Sequence, residues 1–262
     1  MKIFLMVDNE GISGVYTFRQ TRAGEDRRSE GRAAMTADVN ACAEGLKRAG
    51  VDTIVVRDCH GRAETLLWDQ LSPAVDECIM GAVGPDRFFG SEGADGVILL
   101  GYHAMAGTAE AFLNHTWSSV TIQNMYLNGV RSGELAMDAA IAGERGMPVI
   151  MVSGDDKLRK ESEHFLPWAT YAQVKRAATN EGGALLHPDK AHALIAAKAE
   201  EAVRRIGEMR TYIVPKPVTM RVEFSQSVSM PLHTDKPYMR MLDGRSYEVD
   251  ADTVQQALNR GL

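Results

Sequence analysis

Three apolar runs near the start of this chain each break off at a potential metal ligand. They read FLMVDNEG, IVVRDCHG and VILLGYHA, ending at Asp8 and Glu10, at His60, and at His103. Asp8 and Glu10 are two residues apart, which on extended chain places both carboxylates on one side. Unpaired there, they repel each other and one keeps a proton. A divalent cation removes that penalty. Two imidazoles shift the preferred ion from magnesium or calcium, which take mainly oxygen, towards zinc or another nitrogen-tolerant metal. Glu134, in SGELAMDAAIAGERGMP, is a fifth candidate. Five ligands exceed what one tetrahedral catalytic zinc and its water take, so the set points to a two-metal site with a bridging carboxylate.

Taken singly, each residue has another reading. Asp8 and Glu10 suit a cap and a solvated loop acid, and His60 or His103 a hydrogen-bonded structural histidine. Glu134 suits the first turn of a helix, where the macrodipole favours a carboxylate. The coincidence at three strand ends is what favours metal.

The elements that must position these residues are those of an α/β fold, a mostly parallel sheet flanked by helices, with a second, smaller α+β lobe. Strands are expected at Ile3–Val7, Thr53–Arg57, Val97–Leu100 and Val149–Val152. Between the first two, Ala34, Val39, Cys42 and Leu46 recur at helical spacing and Gly50 supplies a stop. That crossover helix makes the two strands parallel. In an open parallel sheet, ligands bind outside the carboxyl ends of the strands, which is where Asp8, Glu10, His60 and His103 fall.

TIQNMYLNGVRSG predicts a hairpin around Asn128-Gly129. Ser132 is the expected N-cap of the following helix, and Gly146 and Pro148 its terminators. Beyond this the texture changes to one long helix, the alternating strand VTMRVEFS and a hairpin at Asp243-Gly244. The expected division is a metal-binding α/β domain over 1–165 and the smaller lobe over 166–262.

The 262 residues are 45% hydrophobic and 24% charged, with net charge -6, which speaks against a nucleic-acid surface. No apolar run approaches membrane-spanning length, and the opening run is too short for a signal-peptide core, so no membrane partner and a cytoplasmic location are expected. Cys42, Cys59 and Cys78 are odd in number and form no CxxC pair, so neither a disulfide framework nor a thiolate zinc site is expected. The NHT sequon at Asn114 is accordingly read as a chance match. Dinucleotide, Walker and G-x-S-x-G patterns are absent. Asp155 and Asp156, in VSGDD, suit either outer-sphere or substrate contacts or a helix N-cap. His164, His187, His192 and His233 are read as surface residues outside the chemistry.

The motifs together resemble the zinc-dependent D-aminopeptidase family of DppA-like enzymes. They are VDNEGISG from Val7, DCHG from Asp58, LGYHA from Leu100, NH at Asn114–His115, GELAMDA from Gly133 and VSGDD from Val152. The resemblance implies that Asp8 bridges two zinc ions, with Glu10 and His60 completing one site and His103 and Glu134 the other. It implies a catalytic role for His115, a short peptide or aminoacyl amide substrate with a D-residue at its N-terminus, and a homo-oligomer, specifically a decamer enclosing a channel. One departure is visible: the family has serine two places before the aspartate, where this chain has Met6, which touches a hydrogen bond or packing detail rather than the ligands. The expected function is a binuclear zinc aminopeptidase. Two alternatives stand beside it: a metal-dependent amidohydrolase acting on a non-peptide amide, and a metal-stabilised assembly protein without catalysis.

Overall fold

The computed structural model describes residues Met1–Leu262. Its first strand, β1 (Lys2–Val7), is apolar on both faces: Ile3, Leu5 and Val7 enter one core while Phe4 and Met6 enter another. Such double burial is the mark of a parallel strand covered on both sides. α1 (Arg28–Arg48) crosses over to β2 (Thr53–Asp58), followed by β3 (Glu77–Ile79) and β4 (Gly96–Leu100). The hairpin β5 (Ile122–Leu127) and β6 (Val130–Arg131) precedes α2 (Glu134–Glu144), β7 (Val149–Gly154), α3 (Asp156–Phe165) and β8 (Thr170–Gln173). The chain ends with the hairpin β9 (Lys175–Thr179) and β10 (Gly182–Leu185), α4 (Pro188–Arg204), strands β11 (Val218–Phe224), β12 (Met239–Asp243) and β13 (Ser246–Ala251), and α5 (Val254–Gly261).

Six strands form an all-parallel sheet in the order β3-β2-β1-β4-β7-β8. On one face α1 and α4 close a core around Leu5, Met35, Val39, Leu46 and Ile195. Met35 takes the core position in the first turns of α1, and Ala34, expected there, is only half-buried. On the other face lie α2, α5 and a five-stranded antiparallel sheet ordered β12-β13-β11-β5-β6. Every residue of α2 from Glu134 to Gly143 is buried, so it is a central helix rather than a surface one.

The Asn128-Gly129 turn forms as expected, with φ of 48° and 80°, the left-handed pair that a two-residue hairpin turn requires. Ser132 does not cap α2. Its hydroxyl donates to the Val130 carbonyl, and Gly133 holds the N-cap position without a side-chain bond. Layer and chain order do not coincide. β8 and α4, beyond residue 165, complete the parallel sheet and its outer layer, while β5, with β6 on its other edge, pairs with the late strand β11. No helix is long and apolar enough to cross a membrane.

Candidate metal centre

β1 is the strand at which the sheet order reverses, with β2 on one side and β4 on the other. The crevice at such a switch point is where open α/β sheets bind ligands. The segment after β1 bends across the end of β4: the Asp8 amide donates to the Leu100 carbonyl (2.9 Å) and the Gly11 amide to the Gly101 carbonyl (2.7 Å). A Cβ on Gly11 would stand 1.7 Å from the Tyr102 carbonyl oxygen, so only glycine lets Glu10 approach His103.

Two buried charges pin this loop. Lys175 Nζ donates to the carbonyls of Glu10 (2.6 Å), Ile12 (3.0 Å) and Val15 (2.6 Å). Asp38 of α1 accepts the Ser13 amide (2.8 Å) and hydroxyl. Both escaped the sequence reading. The available signal was phase: Lys175 shares the inward face of β9 with Ala177, while Arg176 between them is exposed.

All five expected ligands meet in one cleft. His60 Nδ1 lies 3.1 Å from Asp8 Oδ1 and 3.0 Å from Glu10 Oε2, and His103 Nε2 lies 3.2 Å from Asp8 Oδ2 and 3.4 Å from Glu134 Oε1. His115 joins them, with Nε2 3.9 Å from Glu134 Oε1. On each imidazole the outer nitrogen faces a backbone carbonyl: His60 Nε2 on Thr21 (2.9 Å), His103 Nδ1 on Ala104 (3.1 Å), His115 Nδ1 on Leu113 (2.8 Å). A carbonyl only accepts, so the outer nitrogen carries a hydrogen in every protonation state, and the inner one faces the acids, where loss of its proton leaves a lone pair for a metal.

Metal ligation fits this arrangement. Asp8 Oδ2, Glu10 Oε2 and His103 Nε2 are buried without a hydrogen-bond partner, although each has a polar neighbour at ion-pair distance. They are close in distance but aimed past one another. Zinc–ligand bonds of about 2.0–2.1 Å in a tetrahedron separate the ligand atoms by about 3.3 Å, which is the spacing seen. His103, His115 and Glu134 bring ligand atoms within 4.8 Å of one another, as do Asp8, Glu10 and His103.

Burial by itself would raise the Asp8 carboxyl, but the His103 and His60 imidazoles outweigh it and hold Asp8 well below the usual carboxylate range. Glu10 and Glu134 are lowered against burial in the same way, chiefly by His60 and His103 respectively. Burial opposes charge on His60 and His103 too, yet Glu10, Glu134 and Asp8 hold both imidazoles well above their ordinary value. Without a cation the cluster therefore balances its acids with protons, and metal must displace them.

The loop carrying His115 is strained and firmly tied. Glu110, Leu113 and Trp117 have φ of 52°, 48° and 58°, a region costly for residues with side chains. Asp155 secures the loop from below, accepting the Phe112 amide (2.9 Å) while capping α3 through Lys157 and Leu158. Asp156 binds the Ala177 amide and Lys157. The Trp117 amide donates to Glu134 Oε1 (2.7 Å). Met6 is wholly buried in the core behind the sheet, so the serine-to-methionine departure falls on packing. His164 meets Phe165 edge to face, His187 caps α4, His192 faces Asp38, and His233 is exposed. Arg87, paired with the buried Asp138, was a further omission. An aspartate within the apolar stretch of α2 was its signal, since a buried acid needs a partner.

A cavity of about 400 Å³ opens on the cluster, walled also by Phe18, Arg22, Cys59, Arg87 and Trp117. Comparison with known proteins agrees across the whole chain. The model of the D-aminopeptidase family matches residues 1–260. The D-aminopeptidase of Bacillus subtilis (strain 168) is 30% identical over 259 residues, covering 97% of this chain and 90% of that protein. The solved structure of the Zn-dependent D-aminopeptidase DppA from Bacillus subtilis, described as a self-compartmentalizing protease, superposes with a TM-score of 0.92 at 28% identity. The match covers 99% of this chain and 94% of that one.

Proposed function

This chain belongs to the D-aminopeptidase family and is a peptidase, and on that premise we propose that it is a binuclear zinc aminopeptidase. It removes an N-terminal D-residue from short peptides or aminoacyl amides. Two ions would be held in the cleft by Asp8, with Glu10 and His60 on one side and His103 and Glu134 on the other. The observation that carries this reading is the convergence of five ligand-type side chains at 3.0–3.4 Å, with Asp8 Oδ2, Glu10 Oε2 and His103 Nε2 buried without a hydrogen-bond partner.

Ions bound there would supply Lewis acidity, easing loss of a proton from water near neutral pH and polarising the scissile carbonyl. His115, its Nδ1 hydrogen committed to Leu113, offers Nε2 as the base that takes the water's proton and returns it to the leaving amine. Glu134 serves twice, as a ligand and as the acceptor that ties Trp117, hence the His115 loop, to the centre.

Hydrolysis of matched D- and L-alanine p-nitroanilides by zinc-loaded protein, with metal analysis, tests this. Close to two zinc equivalents and a preference for the D-substrate are expected. Full activity in metal-free protein would overturn the mechanism, and activity confined to cyclic or acyl amides would select the amidohydrolase alternative. As further parts of the proposal, the protein assembles as a homo-oligomer, a decamer by resemblance, and works in the cytoplasm, where its three free cysteines stay reduced.

A further inference from the structure

Arg87 is a cation held still at the wall of the cleft. Its Nε and Nη2 grip the carboxylate of Asp138, the second at 2.8 Å, and Asp138, with no exposed surface, also accepts the Tyr102 hydroxyl (2.6 Å). The guanidinium lies 4.2 Å over the Trp117 ring. No protein acceptor takes Nη1, and the side chain keeps 15% of its surface. One planar edge of a permanently charged, immobilised group therefore remains to be satisfied from the cleft, and carboxylate is the partner whose geometry matches that edge.

We propose that Arg87 is a specificity-determining residue that binds the free α-carboxylate of a dipeptide substrate. The inference rests on the aminopeptidase reading above. In a dipeptide whose scissile carbonyl sits at the metal ligands, the carboxylate carbon lies three bonds further on, under about 4 Å away. Its anchor must stand beside the ligands. Trp117 supplies the link: its amide binds Glu134 and its ring carries Arg87. The other arginine of the cleft, Arg22, is exposed, rests on Phe18 and binds Ser119 at 3.2 Å. It belongs to the rim, where a longer peptide would end.

The test compares kcat/KM for D-alanyl-D-alanine with that for its C-terminal amide in wild-type protein, R87K, R87Q and R22Q. Wild type should favour the free acid by about 10-fold or more, a value typical of a charge-assisted bond. R87Q should bring the ratio to about one, mainly through KM, R87K should fall between, and R22Q should keep it. A wild type indifferent to the carboxylate, a loss in R87Q that strikes both substrates alike, or a ratio abolished by R22Q overturns the proposal. Should R87Q fail to fold, R87K decides. The same contrast is read without turnover by calorimetric titration with the reduced-bond isostere of D-alanyl-D-alanine and with its amide. If the aminopeptidase reading fails, neither substrate is cleaved, while the calorimetric preference still reports on Arg87.

Discussion

His103 and His115 lie ring on ring, with centroids 4.0 Å apart and planes 9° apart. Both turn their inner nitrogen to the same oxygen of Glu134, at 3.4 and 3.9 Å. One is proposed as a ligand and the other as a proton carrier. His115→Ala should keep its metals, fold and assembly while kcat falls by about 10²–10⁴-fold, the usual scale of general acid–base help. Metal analysis and steady-state kinetics on one preparation check this. Loss of metal would make His115 a ligand instead.

Asp8 and Glu134 should fail differently. Asp8 touches the imidazoles of His60 and His103, so Asp8→Ala is expected to lower zinc occupancy at both sites. Glu134→Ala should chiefly empty the site shared with His103, and should also free the Trp117 amide and loosen the His115 loop. Stoichiometry by metal analysis separates the two, and full occupancy in both variants would refute the ligand assignment.

Metal uptake should release protons. In metal-free protein the neighbouring carboxylates hold His60 and His103 above their ordinary value, so they keep their protons to higher pH than a free imidazole, whereas ligation needs them neutral. Zinc affinity should fall as pH drops and approach a plateau above the raised imidazole values. Calorimetry in buffers of different ionisation enthalpy reads the protons directly. Without metal, the stabilisation from these charged imidazoles is complete below about pH 6.5 and is lost as pH rises through their raised values.

Glu161 offers a test of stability remote from turnover. Burial pushes its carboxyl up to about 7, and one oxygen accepts the Met105 amide while the other has no partner. The folded state then binds the proton more tightly than the unfolded one, so ionisation costs stability progressively as pH rises towards 7 and fully above it. Glu161→Gln should raise the Tm of metal-free protein by about 2–4 °C at pH 8 and have less effect at pH 5. An unchanged or lower Tm at pH 8 would show that the carboxylate is better satisfied than its surroundings indicate.

Assembly is the remaining expectation. Light scattering should return a mass several-fold above the 28.7 kDa chain, and a fully active monomer would remove the enclosed channel from the account.

Much of the centre was legible because its signals are local. Apolar runs named β1, β2, β4 and β7 to within two residues, and a parallel sheet gathers strand ends wherever they lie in the chain, so Asp8, Glu10, His60 and His103 could be grouped before any contact was seen. The Asn128-Gly129 turn was equally plain, since its backbone needs left-handed residues whatever surrounds it. Glu134 and His115 were different: Glu134 was counted as a fifth candidate from a helix start away from the strand ends and His115 joined through motif resemblance, and only the folded chain turned them to the same point. Which imidazole nitrogen faces inward depends on the carbonyls of Thr21, Ala104 and Leu113, and two of those three belong to the histidine's own loop. Lys175 and the Arg87–Asp138 pair left only the phase of β9 and an acid within apolar α2 as signals, and neither signal names a partner. A buried charge is decided by a partner distant in sequence, through the desolvation that both must share, and that distance closes only in the folded chain.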